Sequence, residues 1–269
     1  MTGDGGRLSK MFSSLRGRRP ALIAYATGFF PDREKSLEVV MSILGAGADA
    51  VEIGMPFSDP VMDGPVIQKS SAAALEAGAT PDGILEMVSE LRGQTDRPLL
   101  VMTYYNLVFR FGPERFARRA AECGVDGIII PDLPAEEMAP FKDACGGAGV
   151  DTVAFCSVTT SPARIREAVA MSTGFLYCVS LLGPTGARSA ISDELPGFLT
   201  RVRENADCPI AAGLGISTPE QCAIAGSMAD GVIVGSALVK AADQADGNLS
   251  QLTALVASMA KALRGDFSA

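Results

Sequence analysis

Eight short apolar runs, each followed by a longer amphipathic stretch, set the limits on what this chain can become. The runs are ALIAYA (21–26), AVEIG (50–54), PLLVM (98–102), GIIIP (127–131), DTVAFC (151–156), GFLYCV (174–179), PIAA (209–212) and GVIV (231–234). Between them lie helical patterns such as SLEVVMSILGAGA (36–48) and PERFARRAAECG (113–124). Several runs follow a glycine-rich helix stop, as in GAGADA, ECGVDG, GGAGVD and MADG, where Gly is the expected residue just past a helix end. Strand and helix alternating in this way imply a parallel sheet joined by right-handed crossovers. Eight such units in 269 residues fit a closed (β/α)8 barrel of the TIM type. A doubly wound open sheet is the alternative, but no G-x-G-x-x-G opens the first helix. No linker or composition shift divides the chain, so residues 1–269 are expected to form one α/β domain. The N-terminal segment is basic and contains serine, as a transit peptide would. However, Leu8, Met11, Phe12 and Leu15 follow the i, i+3, i+4, i+7 pattern of one helix face, so an extra packed N-terminal helix is expected.

Composition narrows the chemistry. A formal charge of −8 gives no electrostatic footprint for nucleic acid or an anionic membrane. Any phosphate site must be local, built from backbone N–H groups and helix ends. The chain has no His, which removes the usual acid–base residue, the Ser-His-Asp triad and any His-bearing zinc site. Its six Cys form no C-x-x-C pair and read as reduced, mostly buried thiols of a cytoplasmic protein. No apolar run approaches the roughly 20 residues that span a membrane.

One charge is out of place. In VEIGMPFSDPVMDGP (51–65), Glu52 stands inside an apolar strand pattern, with Asp59 and Asp63 in the loop that follows. Barrel side chains alternate between interior and helix layer. If Val51 and Ile53 face the helices, Ala50, Glu52 and Gly54 face inward, near the C-terminal mouth where barrel enzymes keep their chemistry. A structural carboxylate paired with Arg or Lys is the plain alternative, but nearby strands offer no such partner. An unpaired carboxylate in an apolar mouth has a raised pKa and can carry protons both ways near neutrality. Asp59 and Asp63 also suit turn and cap positions.

Two glycine motifs, AGLGIS (212–217) and GSALVK (235–240), follow the seventh and eighth strands, where barrels often bind phosphate. Gly213, Gly215 and Gly235 would let backbone N–H groups approach an oxyanion, with Ser236 adding a hydroxyl at a helix start. Two tight turns with a serine cap are the plainer reading. The segment SLLGPTGARSAISD (180–193) is long for a βα loop and suggests a lid. Tyr177, near the end of the preceding strand, has a position from which its hydroxyl can face the mouth, with a plain core or rim residue as the more common alternative.

These motifs resemble the tryptophan synthase alpha subunit family, nearly end to end. VEIGMPFSDPVMDGPVIQ (51–68) carries most of the resemblance. YYNLVFRFG (104–112), PDLPAEE (131–137), GPTGAR (183–188), GLGIS (213–217) and VGSALVK (234–240) follow in the right order. The resemblance implies retro-aldol cleavage of indole-3-glycerol phosphate to indole and glyceraldehyde 3-phosphate, with no metal or organic cofactor in this half of the enzyme. It places the family's acid–base Glu on Glu52, its second catalytic carboxylate on Asp63 and its sixth-strand Tyr on Tyr177. Phosphate binding falls on Gly186, Gly215, Gly235 and Ser236, the lid Thr on Thr185, and the indole pocket on Tyr25, Met102 and Leu214. It also implies a beta subunit partner carrying pyridoxal phosphate, in an alpha2beta2 heterotetramer. The chemistry suits these residues: Glu52 would protonate indole C3 and take the side-chain hydroxyl proton, while Asp63, ionised in a wetter loop, would accept a hydrogen bond from the ring N–H. Two positions depart from the family pattern. TGFFP (27–31) has Phe29 and Phe30 where many members read T-x-G-D-P, and Leu181 stands where some carry Arg. Another phosphosugar isomerase or epimerase, or a non-catalytic activating subunit, are the competing readings.

Overall fold

The structure is a computed structural model that describes residues 5–179, 194–213, 215–245 and 248–265. Its strands are β1 (Ala21–Thr27), β2 (Ala50–Gly54), β3 (Leu99–Met102), β4 (Gly127–Ile129), β5 (Asp151–Ser157), β6 (Leu176–Val179), β7 (Ile210–Gly213) and β8 (Gly231–Val234). They pair in parallel, in chain order, and β8 closes on β1 to complete a barrel. All eight runs expected from the sequence are strands. Most bounds shift by at most one residue, and two strands lose two residues at one end, for backbone reasons. β4 stops at Ile129 because the Ile130 carbonyl turns to accept Leu133 N–H at 3.3 Å. β6 begins at Leu176 because Thr173 and Gly174 both donate to the Thr152 carbonyl.

The helices that matter here are α1 (Arg7–Leu15), α2 (Arg33–Gly45), α3 (Pro65–Glu76), α4 (Pro81–Arg92) and α5 (Tyr105–Phe111). They continue with α6 (Pro113–Glu122), α7 (Ala139–Ala148), α8 (Pro162–Met171), α9 (Leu195–Arg203), α10 (Pro219–Gly226), α11 (Ser236–Asp243) and α12 (Ser250–Leu263). Their starts are written in the sequence. Proline opens α3, α4, α6, α8 and α10, where its missing N–H costs nothing. Asp32 caps α2, Thr80 caps α4, and Thr218 with Gln221 forms a capping box on α10.

Alternation along the strands divides the apolar residues into two cores. Val51, Ile53, Leu99, Val101 and their equivalents pack outward against the helices. Ala50, Leu100, Ile129, Val153 and Ile233 fill the barrel interior together with Leu8, Met11 and Phe12 of α1. The expected N-terminal helix therefore exists, and it plugs the floor. A Cβ on Gly127 or Gly174 would lie 3.1 or 3.3 Å from Leu8 Cδ1, and one on Gly231 would lie 3.4 Å from Phe12. The small residues at these strand starts make the room that α1 fills.

The floor also holds three aspartates of one design. Asp49, Asp126 and Asp230 each stand just before a strand and accept an N–H from the start of the preceding one: Leu22, Leu99 and Ile210, at 2.8–2.9 Å. Each also holds arginine. Asp49 pairs with Arg19 and Arg97 at 2.6 and 3.3 Å. Asp126 pairs with Arg92 and Arg7 at 2.5 and 3.1 Å. Asp230 pairs with Arg203 at 2.7 Å. These contacts fix the strand register at the end of the barrel away from the mouth.

Candidate active site

Glu52 points into the barrel, 1% exposed, level with Tyr25 on β1 and Leu100 on β3. Its Oε2 has no hydrogen-bond partner, and no Arg or Lys among the described residues pairs with it. Burial, reinforced by the nearby Asp63 charge, pushes its pKa up to about 8. A carboxyl in that state is protonated at neutral pH and can donate its proton.

Asp63 lies in the β2–α3 loop, half-buried. Burial raises its pKa as well, while a hydrogen bond from the Tyr104 hydroxyl opposes the rise. The wetter loop expected for Asp63 is thus only partly wet, and a phenol rather than water favours its charge. Tyr104 is a site residue that the sequence reading missed. Beyond holding Asp63, its Oη accepts Met62 N–H at 3.1 Å, and its ring stacks on Phe57 at 5.3 Å. The available signals were its place, two residues past the end of β3, and its position at the head of the YYNLVFRFG motif. Asp59 is exposed and serves its loop turn, its carbonyl accepting Val61 N–H.

Three tyrosines converge on the carboxylates. Tyr177 is buried on β6, its ring stacked on Phe155 of β5 at 4.6 Å. A Cβ on Gly213 would fall 2.7 Å from that ring, so glycine at the end of β7 is what lets Tyr177 lie there. Burial first, then the neighbouring acidic groups of Glu52, Tyr25 and Asp63, hold its hydroxyl well above the usual range and therefore neutral. Tyr25 is treated alike: its hydroxyl lies over Gly54, whose Cβ would be 2.0 Å away, and burial, then Asp63, raise its pKa. Met102 is half-buried and touches both cores at the mouth.

Gly215 adopts φ +79°, a left-handed conformation that favours glycine. Gly235 is the N-cap residue of α11, with the exposed Ser236 as first helical residue. β7 and β8 are neighbours, so these turns stand side by side at the mouth. A Cβ on Gly235 would meet Tyr25 at an ordinary 3.6 Å, so steric crowding alone does not demand glycine there. Thr185, Gly186, Leu214 and the expected lid, with Leu181 in it, lie outside the described residues. The departures Phe29 and Phe30 are buried between barrel and helices. Phe29 takes φ +62° and its ring faces Gly83 of α4. They pack into the helix layer and add no exposed apolar surface at the mouth. Among the described residues no three His, Cys, Asp or Glu side chains cluster as a metal site would.

The family model for the tryptophan synthase alpha chain matches residues 12–265. The chain belongs to the tryptophan synthase alpha chain family. A tryptophan synthase alpha chain from Citrifermentans bemidjiense is 44% identical, over 94% of this chain and 96% of its own length. One from Carboxydothermus hydrogenoformans is 42% identical over 87% and 88%. Among solved structures, the alpha subunit from Legionella pneumophila superposes with a TM-score of 0.90 at 33% identity, covering 97% of this chain and 99% of that one. A chain of Mycobacterium tuberculosis tryptophan synthase gives 0.89 at 36%, with the same coverage. Members of this family share the barrel, and this chain shares it over nearly its whole length.

Proposed function

We infer that the mouth of this barrel cleaves its substrate by general acid–base catalysis, with Glu52 moving the protons and Asp63 holding the ring nitrogen. The reaction comes with the family. The alpha reaction of tryptophan biosynthesis is a carbon–carbon lyase step that splits indole-3-glycerol phosphate into indole and glyceraldehyde 3-phosphate. Breaking that bond needs a proton at indole C3, removal of the proton from the adjacent hydroxyl, and relief of positive charge at the ring N–H. The unpartnered, buried Glu52 carboxyl carries this reading. Protonated, it gives its proton to C3. Ionised, it takes the hydroxyl proton as the C–C bond breaks, and it is restored for the next turnover. Asp63, kept anionic with the help of Tyr104, accepts the ring N–H and balances the charge that forms there.

The neutral Tyr177 hydroxyl borders the reacting carbon, and Tyr25 and Met102, with Leu214, wall the indole. The substrate phosphate sits on the N–H groups of Gly215, Gly235 and Ser236; the roles expected of Thr185 and Gly186 fall on residues outside those described. Helix α11 presents its positive end to that phosphate.

The partner is a beta subunit with pyridoxal phosphate of its own, docking on the mouth to form an alpha2beta2 assembly. Val61 and Met62 of the β2–α3 loop and Phe109 of α5 support this. They are 69%, 59% and 67% exposed, and large apolar groups this open on one face mark a docking surface. Met62 and Asp63 are neighbours that share the Tyr104 hydroxyl, so docking on one is felt by the other. A cytoplasmic location goes with this biosynthetic role; separately, no described helix is long and apolar enough to cross a membrane. Incubating the purified chain with indole-3-glycerol phosphate, with and without a beta subunit, and measuring indole tests the reading. Isomerised or epimerised substrate with no indole overturns it in favour of another phosphosugar enzyme. Indole formed only by the partner makes this chain an activating subunit.

A further inference from the structure

At the opposite end from the mouth, the turn from α1 to β1 and the turns that enter β7 and β8 surround a cavity of about 320 Å³. That lies at the lower end of the range of small-molecule sites. Four arginines line it: Arg16, Arg18, Arg19 and Arg203. In a chain of net charge −8, four guanidinium groups around one cavity are a local reversal of sign. Two of them are fixed. Asp49 holds Arg19 through both carboxylate oxygens, and Asp230 holds Arg203. Arg16 and Arg18, on either side of Gly17, make no side-chain hydrogen bond or ion pair with any described residue. The carboxylates do not cancel this charge. Asp230 is committed to Arg203 and to Ile210 N–H, which leaves Asp207 as the one lining carboxylate without such a partner. The carbonyls at the end of α1, another source of negative potential, are also occupied: Phe12 accepts Arg16 N–H, and Leu15 accepts Arg18 and Arg19 N–H.

We propose that this floor cavity is a second anion site, which takes the phosphate group of a small phosphorylated molecule on Arg16 and Arg18. Two free guanidinium groups match a dianion better than a single carboxylate, and guanidinium forks suit phosphate oxygens. Leu15, Pro20 and Pro209 give the walls apolar surface for the carbon part of such a ligand. The site is separate from the phosphate cradle, since β7 and β8 begin at this cavity and end at Gly213 and Val234, beside the cradle residues.

The test uses inorganic phosphate as probe, titrated by calorimetry at constant ionic strength. The enzyme is first saturated with a non-cleavable indolyl-alkyl phosphate, which fills the mouth. One further phosphate per chain is expected. In the Arg16→Glu/Arg18→Glu variant its affinity falls by at least about tenfold, as loss of two charge-assisted contacts requires. Both side chains are exposed, so thermal melting and indole formation without added phosphate stay at wild-type values. Absence of a second phosphate, or equal binding in the variant, overturns the site. Loss of indole formation with phosphate binding intact also overturns it, because the arginines then act through the barrel framework and not as an anion site.

Discussion

The two ends of this barrel bury the same kind of group and put it to opposite use. At the floor, the Asp49 and Asp126 side chains are 4% and 7% exposed, and each grips two arginines and a backbone N–H. At the mouth, Glu52 is 1% exposed and its Oε2 has no partner at all. A buried charge without a partner costs several kcal/mol or gives up its charge. The floor avoids that cost by pairing and gains fixed strand register. The mouth accepts it and gains a carboxyl poised near neutrality. What a buried carboxylate does is therefore decided by the arginines around it, not by its depth.

The largest test of that contrast is Glu52→Gln. Indole formation is expected to fall by about 10²–10⁴-fold, the range for a lost general acid–base group, while the fold is retained. Stability should respond to pH in a specific direction. The folded-state pKa of Glu52, about 8, lies above its ordinary 4.5. Its contribution to stability is therefore fully present below pH 4.5 and is lost as pH rises through about 8. Melting curves across that window should show a decline in the wild type that is reduced in the Gln variant. For the same reason kcat/KM should fall as pH rises through about 8. A Gln variant with full activity and a large loss of stability would make Glu52 a floor-type residue and break the comparison.

Asp49→Asn is the converse. It leaves one amide oxygen for Leu22 N–H but removes the charge that pairs with Arg19 and Arg97, so unfolding free energy should drop by about 3 kcal/mol. Turnover per folded molecule should not change. Denaturant titration beside an indole assay separates the two effects.

Gly213→Ala is smaller. The added methyl meets the Tyr177 ring at 2.7 Å and must displace it. A misplaced mouth group of this kind should cost about 10-fold or more in kcat/KM, with melting temperature little changed. Normal kinetics would show that the Tyr177 position is not critical.

The smallest effect belongs to Tyr104→Phe. Removing the hydroxyl takes away what opposes the rise in the Asp63 pKa. The acid limb of the pH–rate profile should then move to higher pH, with a loss of only about 2–5-fold near neutrality, comparable to one modest hydrogen bond. An unmoved limb would mean that Asp63 is not needed in its ionised form.

Much of this was legible in the sequence, for identifiable reasons. Each strand is a short apolar run bounded by Gly, Pro or Asp, and the period-two alternation put Glu52 inward as soon as Val51 was assigned to the helix layer. The N-terminal helix was legible from Leu8, Met11 and Phe12 at helical spacing. Tyr104 was not, because a second tyrosine beside Tyr105 looks like rim, and its value depends on where the β2–α3 loop folds back. The floor clamps were not legible either. The Asp in ADAVEIG, VDGIII and ADGVIV reads as a turn residue, and its true partner is the N–H of a strand 20 or more residues earlier. Such a pairing is set by barrel closure rather than by local pattern.

The plug formed by α1 ties the order of synthesis to the order of folding. Leu8 and Phe12 leave the ribosome well before the glycines that receive them, at 127, 174 and 231. Helix α1 must therefore wait, with its apolar face uncovered, until nearly all of the later strands have emerged. At about 5–20 residues per second, that interval is on the order of ten seconds or more. During it, the helix is a ready target for a chaperone or for another unfinished copy of the same chain.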